Sequence, residues 1–244
     1  MPLLGLIGFP LSHSFSPRFF MSKFERLGLH DWDYRLFPIE HISELPQLIE
    51  NHKDLVALNV TIPHKQHVLR FCGTLSDEAA AIGASNLITI KRNGQLNELK
   101  AYNTDYYGFT ESISDWYRQI HGKALVLGTG GASKAIQYAL KQLNIDFDVA
   151  GRSGPLTYQN IRLSGYQLVI NCTPVGMYRE NGSPEEYLPL HYEDVRPDHY
   201  FYDLVYNPEH TAMMRKFEGK GARVKNGLQM LYLQAERAWT IINS

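Results

Sequence analysis

Apolar residues come in short runs separated by longer stretches where they recur every third or fourth position. The runs Leu3 to Gly8, Trp32 to Pro38, Leu55 to Val60, Lys123 to Leu127, Phe147 to Ala150, Leu168 to Asn171 and Phe201 to Val205 predict strands. A brief apolar run bounded by turn residues suits a strand buried on both faces. Helical spacing follows in Phe20, Phe24 and Leu27 before Gly28, and again in Ala135, Ile136, Ala139, Leu140 and Leu143. It is also predicted over Ser43 to Asn51, His64 to Phe71, Ser76 to Ile82, from Asp105 to about Ile120, and Leu228 to Ile242. Ser16 is placed to cap the first helix, with Pro17 at its first position. Asn93-Gly94 between two strand-like runs, Asn86 to Arg92 and onward to Tyr102, is a hairpin signal. Strands alternating with helices predict an α/β protein with a parallel sheet.

Composition narrows the function. A chain of 244 residues that is 44% hydrophobic can bury the cores of two modest domains. A net charge of -1 offers no basic field, which argues against nucleic acid or an anionic membrane and for a small-molecule ligand. The two cysteines, Cys72 and Cys172, make a poor disulfide framework, so a reducing, cytoplasmic setting is expected. The opening run Leu3 to Ile7 is too short for a secretory signal, and no run approaches a membrane span. His64 and His67 lack a recognised metal-ligand spacing, and no metal is expected.

The candidate chemistry starts at Gly128-Thr129-Gly130-Gly131-Ala132, which follows a strand and opens a helix. Glycines let a pyrophosphate approach the backbone, and the N–H groups of a helix start attract its charge. The spacing departs from G-x-G-x-x-G, with Ser133 at the third glycine position, so a turn without a ligand is the competing reading. The next strand exits through Gly151-Arg152-Ser153, where an NAD site usually carries an acidic residue; Arg152 there favours a 2'-phosphate and hence NADP. Ser14, Ser16, Asn59, Thr61, Lys65, Asn86 and Asp105 all lie at loops or strand ends. Each has an ordinary explanation as a cap, a turn residue or a solvated charge; together they suit a hydroxylated ligand.

Ordered motifs carry a resemblance along nearly the whole chain. They are Gly8-Phe-Pro-Leu-Ser-His-Ser14-Phe-Ser16-Pro17, Asn59-Val-Thr61-Ile-Pro63-His-Lys65, Gly83-Ala-Ser-Asn86, Asn103-Thr-Asp105 and the glycine loop. Asn171-Cys-Thr173-Pro-Val-Gly176-Met177, Asp203-Leu-Val-Tyr206-Asn-Pro208 and Asn226-Gly227 leading to Gln234-Ala235 follow. The chain resembles the shikimate dehydrogenase family. That resemblance implies an N-terminal α/β substrate domain over 1–105, completed by a C-terminal helix from 226–244. A Rossmann-like, doubly wound, parallel-sheet NADP domain over 106–225 and a cleft between the two are also implied. The implied reaction is reversible NADPH-dependent reduction of 3-dehydroshikimate to shikimate, toward aromatic amino acids, and a homodimer is compatible with it.

Carried residue by residue, the resemblance makes Lys65 and Asp105 the catalytic pair. Ser14, Ser16, Asn59, Thr61, Asn86, Tyr206 and Gln234 match substrate-binding positions. Gly128, Thr129, Gly130, Gly131, Ala132, Arg152, Ser153, Thr173, the Leu204 backbone and Gly227 match cofactor positions. Hydride arriving at a ketone makes an alkoxide that a lysine ammonium can neutralise, either as proton donor or as a positioned charge in a coupled Lys-Asp unit. We adopt the first role. The alternatives are a quinate/shikimate dehydrogenase using NAD, and a non-catalytic NADP- or shikimate-binding regulator; an intact Lys65 and Asp105 argue against the regulator. Ala101 and Tyr106 replace glycines usual in the family, and Gly151-Arg152-Ser153 replaces its Asn-Arg-Thr, removing one adenosine-side contact. The segment between Arg152 and Gln167 is too short for a crossover helix with its loops.

Overall fold

The structure is a computed structural model that describes residues 1–11, 14–93, 96–178 and 187–244. It divides into two compact units, one formed by Met1–Thr104 with Ala235–Ser244, the other by Asp105–Gln234.

Unit 1 runs β1 (Leu3–Gly8), α1 (Ser16–Leu27), β2 (Asp33–Pro38), α2 (Leu45–Asn51), β3 (Leu55–Val60), β4 (Thr74–Leu75), α3 (Asp77–Ile82), β5 (Leu87–Asn93) and β6 (Leu96–Tyr102). Its mixed sheet has the order β2-β1-β3-β5-β6-β4. The β1 strand pairs in parallel with β2 and β3, whereas β5 is antiparallel to both β3 and β6. Alternation along the strands builds two apolar layers. Leu3, Ile7, Leu58 and Val60 pack with Leu45 and Ile49 of α2. Leu4, Leu6 and Ala57 pack with Phe20 and Phe24 of α1, Tyr34 of β2 and Ala238 near the C-terminus. The second layer is the one beneath Asn59, because Asn59 shares a strand face with Ala57.

Unit 2 runs α4 (Asp105–Ser112), β7 (Ala124–Leu127), α5 (Gly131–Gln142), β8 (Phe147–Ala150), β9 (Leu168–Asn171), β10 (Tyr200–Asp203), α6 (Ala212–Glu218), β11 (Arg223–Asn226) and the start of α7 (Leu228–Ile242). The sheet is wholly parallel, in the order β11-β10-β9-β7-β8. The winding reverses between β7 and β9, the switch point at which open α/β sheets bind ligands beyond the strands' carboxyl ends. Ala124, Val126 and Ile170 face Phe109 of α4 with Ile136 and Leu140 of α5. Leu125, Leu127, Val169 and Phe201 face Met213, Met214 and Phe217 of α6. This is the doubly wound α/β architecture that the pattern of strands and helices predicts.

After β8 the chain returns to β9 without an α-helix, its only helical turn being Leu163–Gly165. Buried Tyr158, Ile161 and Leu163 cover the sheet in the helix's place.

Several local expectations need correcting. Ser16 does not cap α1: the cap position is Phe15, with no side-chain cap, and Pro17 lies one residue inside the start. The expected helix over His64 to Phe71 is a short 3-10 turn, His67–Phe71, because the Lys65 carbonyl accepts the Ser85 N–H at 2.7 Å rather than closing a helical turn. The helix from Asp105 stops at Ser112, and only a 3-10 turn at Tyr117–Gln119 precedes Ile120. The strand expected over Phe201 to Val205 is shifted to Tyr200–Asp203, where the carboxylate of its last residue, Asp203, accepts the Val205 N–H and turns the chain out of the sheet. Strands β5 and β6 pair as the hairpin signal predicts, Asn93 opposite Leu96, while Gly94 lies outside the described residues.

Candidate active site

In unit 1 the polar residues gather where β1 and β3 end. Thr61 donates its N–H to Ile7 O at 2.9 Å, and Phe9 donates to Ile62 O at 3.0 Å, zipping the two exit loops together. Ser14 is held in the first loop by its N–H to Leu11 O, 3.1 Å. Asn59 is buried and accepts the Tyr34 hydroxyl on Oδ1 at 2.9 Å. Burial pushes the Tyr34 phenol pKa well up, and the nearby Ser16 side chain draws it partly back. Tyr34 and Asn59, far apart in sequence, are joined through the Tyr34 hydroxyl.

Lys65 is half-buried, its backbone tied to the 83–86 loop through Ser85. Asn86 sits beside β3 through the Val60 N–H to Asn86 O bond of 2.9 Å. Its amide donates to Thr104 Oγ1 at 2.8 Å and accepts the Thr104 N–H at 2.6 Å. Ser14, Ser16, Asn59, Thr61, Lys65 and Asn86 thus all belong to unit 1.

In unit 2 the carboxyl ends of neighbouring strands form a ladder of loops. Gly128 donates its N–H to Ala150 O, Cys172 to Leu127 O and Leu204 to Asn171 O. Gly128 has φ +110, and a Cβ there would lie 3.1 Å from Thr173 Cγ2, so glycine is required on both counts. Thr129 and Gly151 are also neighbours, a Cβ on Gly151 falling 3.3 Å from Thr129 Cγ2. At Gly130 an added Cβ would meet no atom within 4 Å, which leaves the backbone open to a ligand. Gly130 caps α5 without any side-chain bond, so the N–H groups of Gly131 and Ala132 in the first turn are not claimed by a capping side chain. These features fit a pyrophosphate.

Arg152 and Ser153 are exposed at the exit of β8, and Arg152 is close enough to oppose the burial-driven rise of the Tyr158 pKa. Gly227 packs directly on Leu204, whose carbonyl oxygen a Cβ would approach to 2.2 Å. Asp105 is buried at the first turn of α4, where the helix dipole favours a carboxylate. Tyr206 is half-buried, which raises its phenol pKa, and Gln234 donates to Leu231 O at 2.9 Å on α7. Asp105, Tyr206 and Gln234 belong to unit 2.

Three supporting residues have no assigned role in the sequence reading. Ser133, at the position of the missing third glycine, donates to Gly128 O at 2.6 Å and fastens the loop to α5. Asp203, fully buried, accepts Asn171 Nδ2 at 2.8 Å, Thr211 Oγ1 at 2.7 Å and the Val205 N–H at 3.1 Å. Asn171 Oδ1 in turn receives the Thr173 hydroxyl at 2.7 Å. Asp203 therefore braces both the Thr173 loop and the 204–206 loop. Burial pushes its carboxyl pKa up to about 6, against the lowering effect of those donors. Tyr34 is the third. The serine at the glycine position and the acidic residue ending an apolar strand were the available signals; nothing local pointed to Tyr34.

Among the described residues no group of three or more His, Cys, Asp or Glu could hold a metal ion, and no helix is long and apolar enough to cross a membrane. Cys72 and Cys172 are free thiols.

Residues 6–88 match the family profile of the shikimate dehydrogenase substrate binding domain. The shikimate dehydrogenase (NADP(+)) of Caldanaerobacter subterraneus subsp. tengcongensis is 35% identical over 269 residues, covering 98% of this chain and 91% of the relative. Crystallised shikimate dehydrogenase from Aquifex aeolicus superposes with a TM-score of 0.84 at 31% identity, over 100% of this chain and 92% of that one. The Thermus thermophilus enzyme, solved with NADP(H) and shikimate, gives a TM-score of 0.81 at 30% identity, over 99% and 93%.

Proposed function

The chain belongs to the shikimate dehydrogenase family, and we propose that it catalyses the reversible, NADPH-dependent reduction of 3-dehydroshikimate to shikimate. The observation that carries this reading is the complete polar set at the strand ends of unit 1, with Lys65 beside it in the chain and Asp105 heading α4. In this reading the substrate domain is 1–105 with 226–244 and the cofactor domain 106–225, bounds that differ from those of the two compact units in assigning Asp105 and 226–234 to the substrate domain.

NADPH when bound supplies the hydride. Gly128, Thr129, Gly130, Gly131 and Ala132 would hold its pyrophosphate, Arg152 and Ser153 its 2'-phosphate, and Thr173, the Leu204 backbone and Gly227 the rest of its length. Lys65 gives its proton to the ketone oxygen as negative charge develops there, with Asp105 as its partner carboxylate. Ser14, Ser16, Asn59, Thr61, Asn86, Tyr206 and Gln234 orient the carboxylate and hydroxyls of the substrate. The same reading has the protein act in the cytoplasm on a small molecule, as a monomer or homodimer, without nucleic acid or membrane partners.

The test supplies shikimate or quinate with NADP or NAD in four separate assays and follows reduced nicotinamide by absorbance. Shikimate with NADP should give the largest kcat/KM. Quinate with NAD matching or exceeding it would favour the relaxed quinate/shikimate enzyme, and no turnover in any assay would favour a binding regulator.

A further inference from the structure

We propose that Tyr34 is a positioning residue that fixes which face of the Asn59 amide meets the substrate, an inference that rests on the shikimate reading of the site. Tyr34 is 5% exposed and lies under Asn59 in the α1 layer, so it acts through Asn59. Its ring stacks on Phe20 with centroids 4.8 Å apart and planes 7° from parallel, and its strand is locked to β1 at Leu4. The hydroxyl therefore has a fixed origin.

A phenol carries one proton. In Tyr34 that proton goes to Asn59 Oδ1 at 2.9 Å. An asparagine amide is nearly symmetric in shape but opposite in hydrogen bonding at its two ends, and a half-turn exchanges donor for acceptor. With Oδ1 turned to Tyr34, Asn59 presents its Nδ2 donors to a ligand, which suits a hydroxyl oxygen as acceptor. Without the Tyr34 hydroxyl the two amide orientations come close in energy, and only one of them binds. The fraction of competent sites falls, and the apparent substrate affinity falls with it.

Tyr34→Phe keeps the stacked ring and removes only the proton. It should raise KM for shikimate about tenfold while changing kcat and the KM for NADP by less than about twofold, the pattern of lost uniform binding. On an Asn59→Ala background the same change should add less than about twofold, because the interaction it acts through is gone. An unchanged shikimate KM, or full additivity with Asn59→Ala, overturns the proposal.

A readout without substrate separates this idea from the functional reading. In protein labelled with 15N-asparagine, the unmodified chain should show a protected Tyr34 hydroxyl proton with a cross-peak to Asn59. Tyr34→Phe should shift the Asn59 side-chain amide signals and speed their exchange. Absence of the hydroxyl cross-peak in the unmodified chain, or unchanged amide signals in the variant, overturns the proposal. Should the unmodified protein fail to turn over shikimate while these signatures are present, the functional reading fails and the fixing of Asn59 by Tyr34 stands.

Discussion

Asn86 grips Thr104 twice, its Nδ2 donating to Oγ1 at 2.8 Å and its Oδ1 accepting the backbone N–H at 2.6 Å. Asn86 precedes β5 and Thr104 follows β6, so the pair closes the base of the hairpin one residue before Asp105. Asn86→Ala removes both bonds inside a buried setting. It should destabilise the protein by about 1–3 kcal/mol, seen as a lower urea midpoint with an unchanged slope. Because Asp105 follows directly, kcat should fall as well. A stable variant with full kcat would remove Asn86 from the site.

In the proposed function Lys65 is the proton donor. Lys65→Ala should lower kcat by roughly a hundredfold or more, the scale of general acid catalysis, with a smaller change in KM for shikimate. Steady-state kinetics decide it: kcat near that of the parent would reduce Lys65 to a bystander.

Gly130 offers a way to lose cofactor without losing fold. Its φ of -79 suits alanine, and the added Cβ enters open space. Gly130→Ala should leave Tm within about 2 °C. KM for NADP should rise about tenfold with KM for shikimate unchanged, since in the proposed function the methyl would occupy the path of the pyrophosphate. Equal KM values for NADP in variant and parent would relocate the phosphate site.

Asp203 makes stability depend on pH. Its folded pKa, pushed up to about 6 mainly by burial, exceeds the unfolded value, so the folded state binds the proton more tightly. The resulting stabilisation is fully present below the unfolded pKa of about 3.9 and is lost as pH rises through the folded pKa. Over that window the folded state should lose about 3 kcal/mol on this account. Asp203→Asn preserves the pairing, since Thr211 Oγ1 can accept from the new amide while Asn171 and Val205 still donate to its oxygen. Thermal unfolding from pH 4 to 7 should show parent stability declining relative to the variant. Parallel curves would mean that Asp203 does not titrate in this range.

How far the sequence led depended on whether a residue's partner was local. The strands β1, β3, β7 and β9 are buried on both faces and announce themselves as apolar runs. The edge strand β11, Arg223-Val-Lys-Asn226, is only half-buried and has no such run, and β4 is two residues long. Ser16 reads locally as a cap, yet it is already the first residue of α1; Lys65 reads as part of a helix, yet its carbonyl goes to Ser85. The second misreading arises from a tertiary hydrogen bond overriding local preference. The same applies to the site. Glycines and Arg152 are legible because turns and charges act through the backbone nearby, whereas Tyr34 and Asp203 work through side chains distant in sequence.

The missing helix between β8 and β9 bears on how unit 2 opens. A helix releases its amides by melting whole turns. The segment after Arg152 is pinned at separate points: Gly151 N–H to Leu156 O, Thr157 N–H to Asn160 Oδ1, and the side chains of Tyr158, Ile161 and Leu163. Separate pins let go one at a time, so these amides trade with solvent on a faster clock than those of β7 and β9. Arg152 therefore sits on ground that loosens while the sheet beneath stays whole.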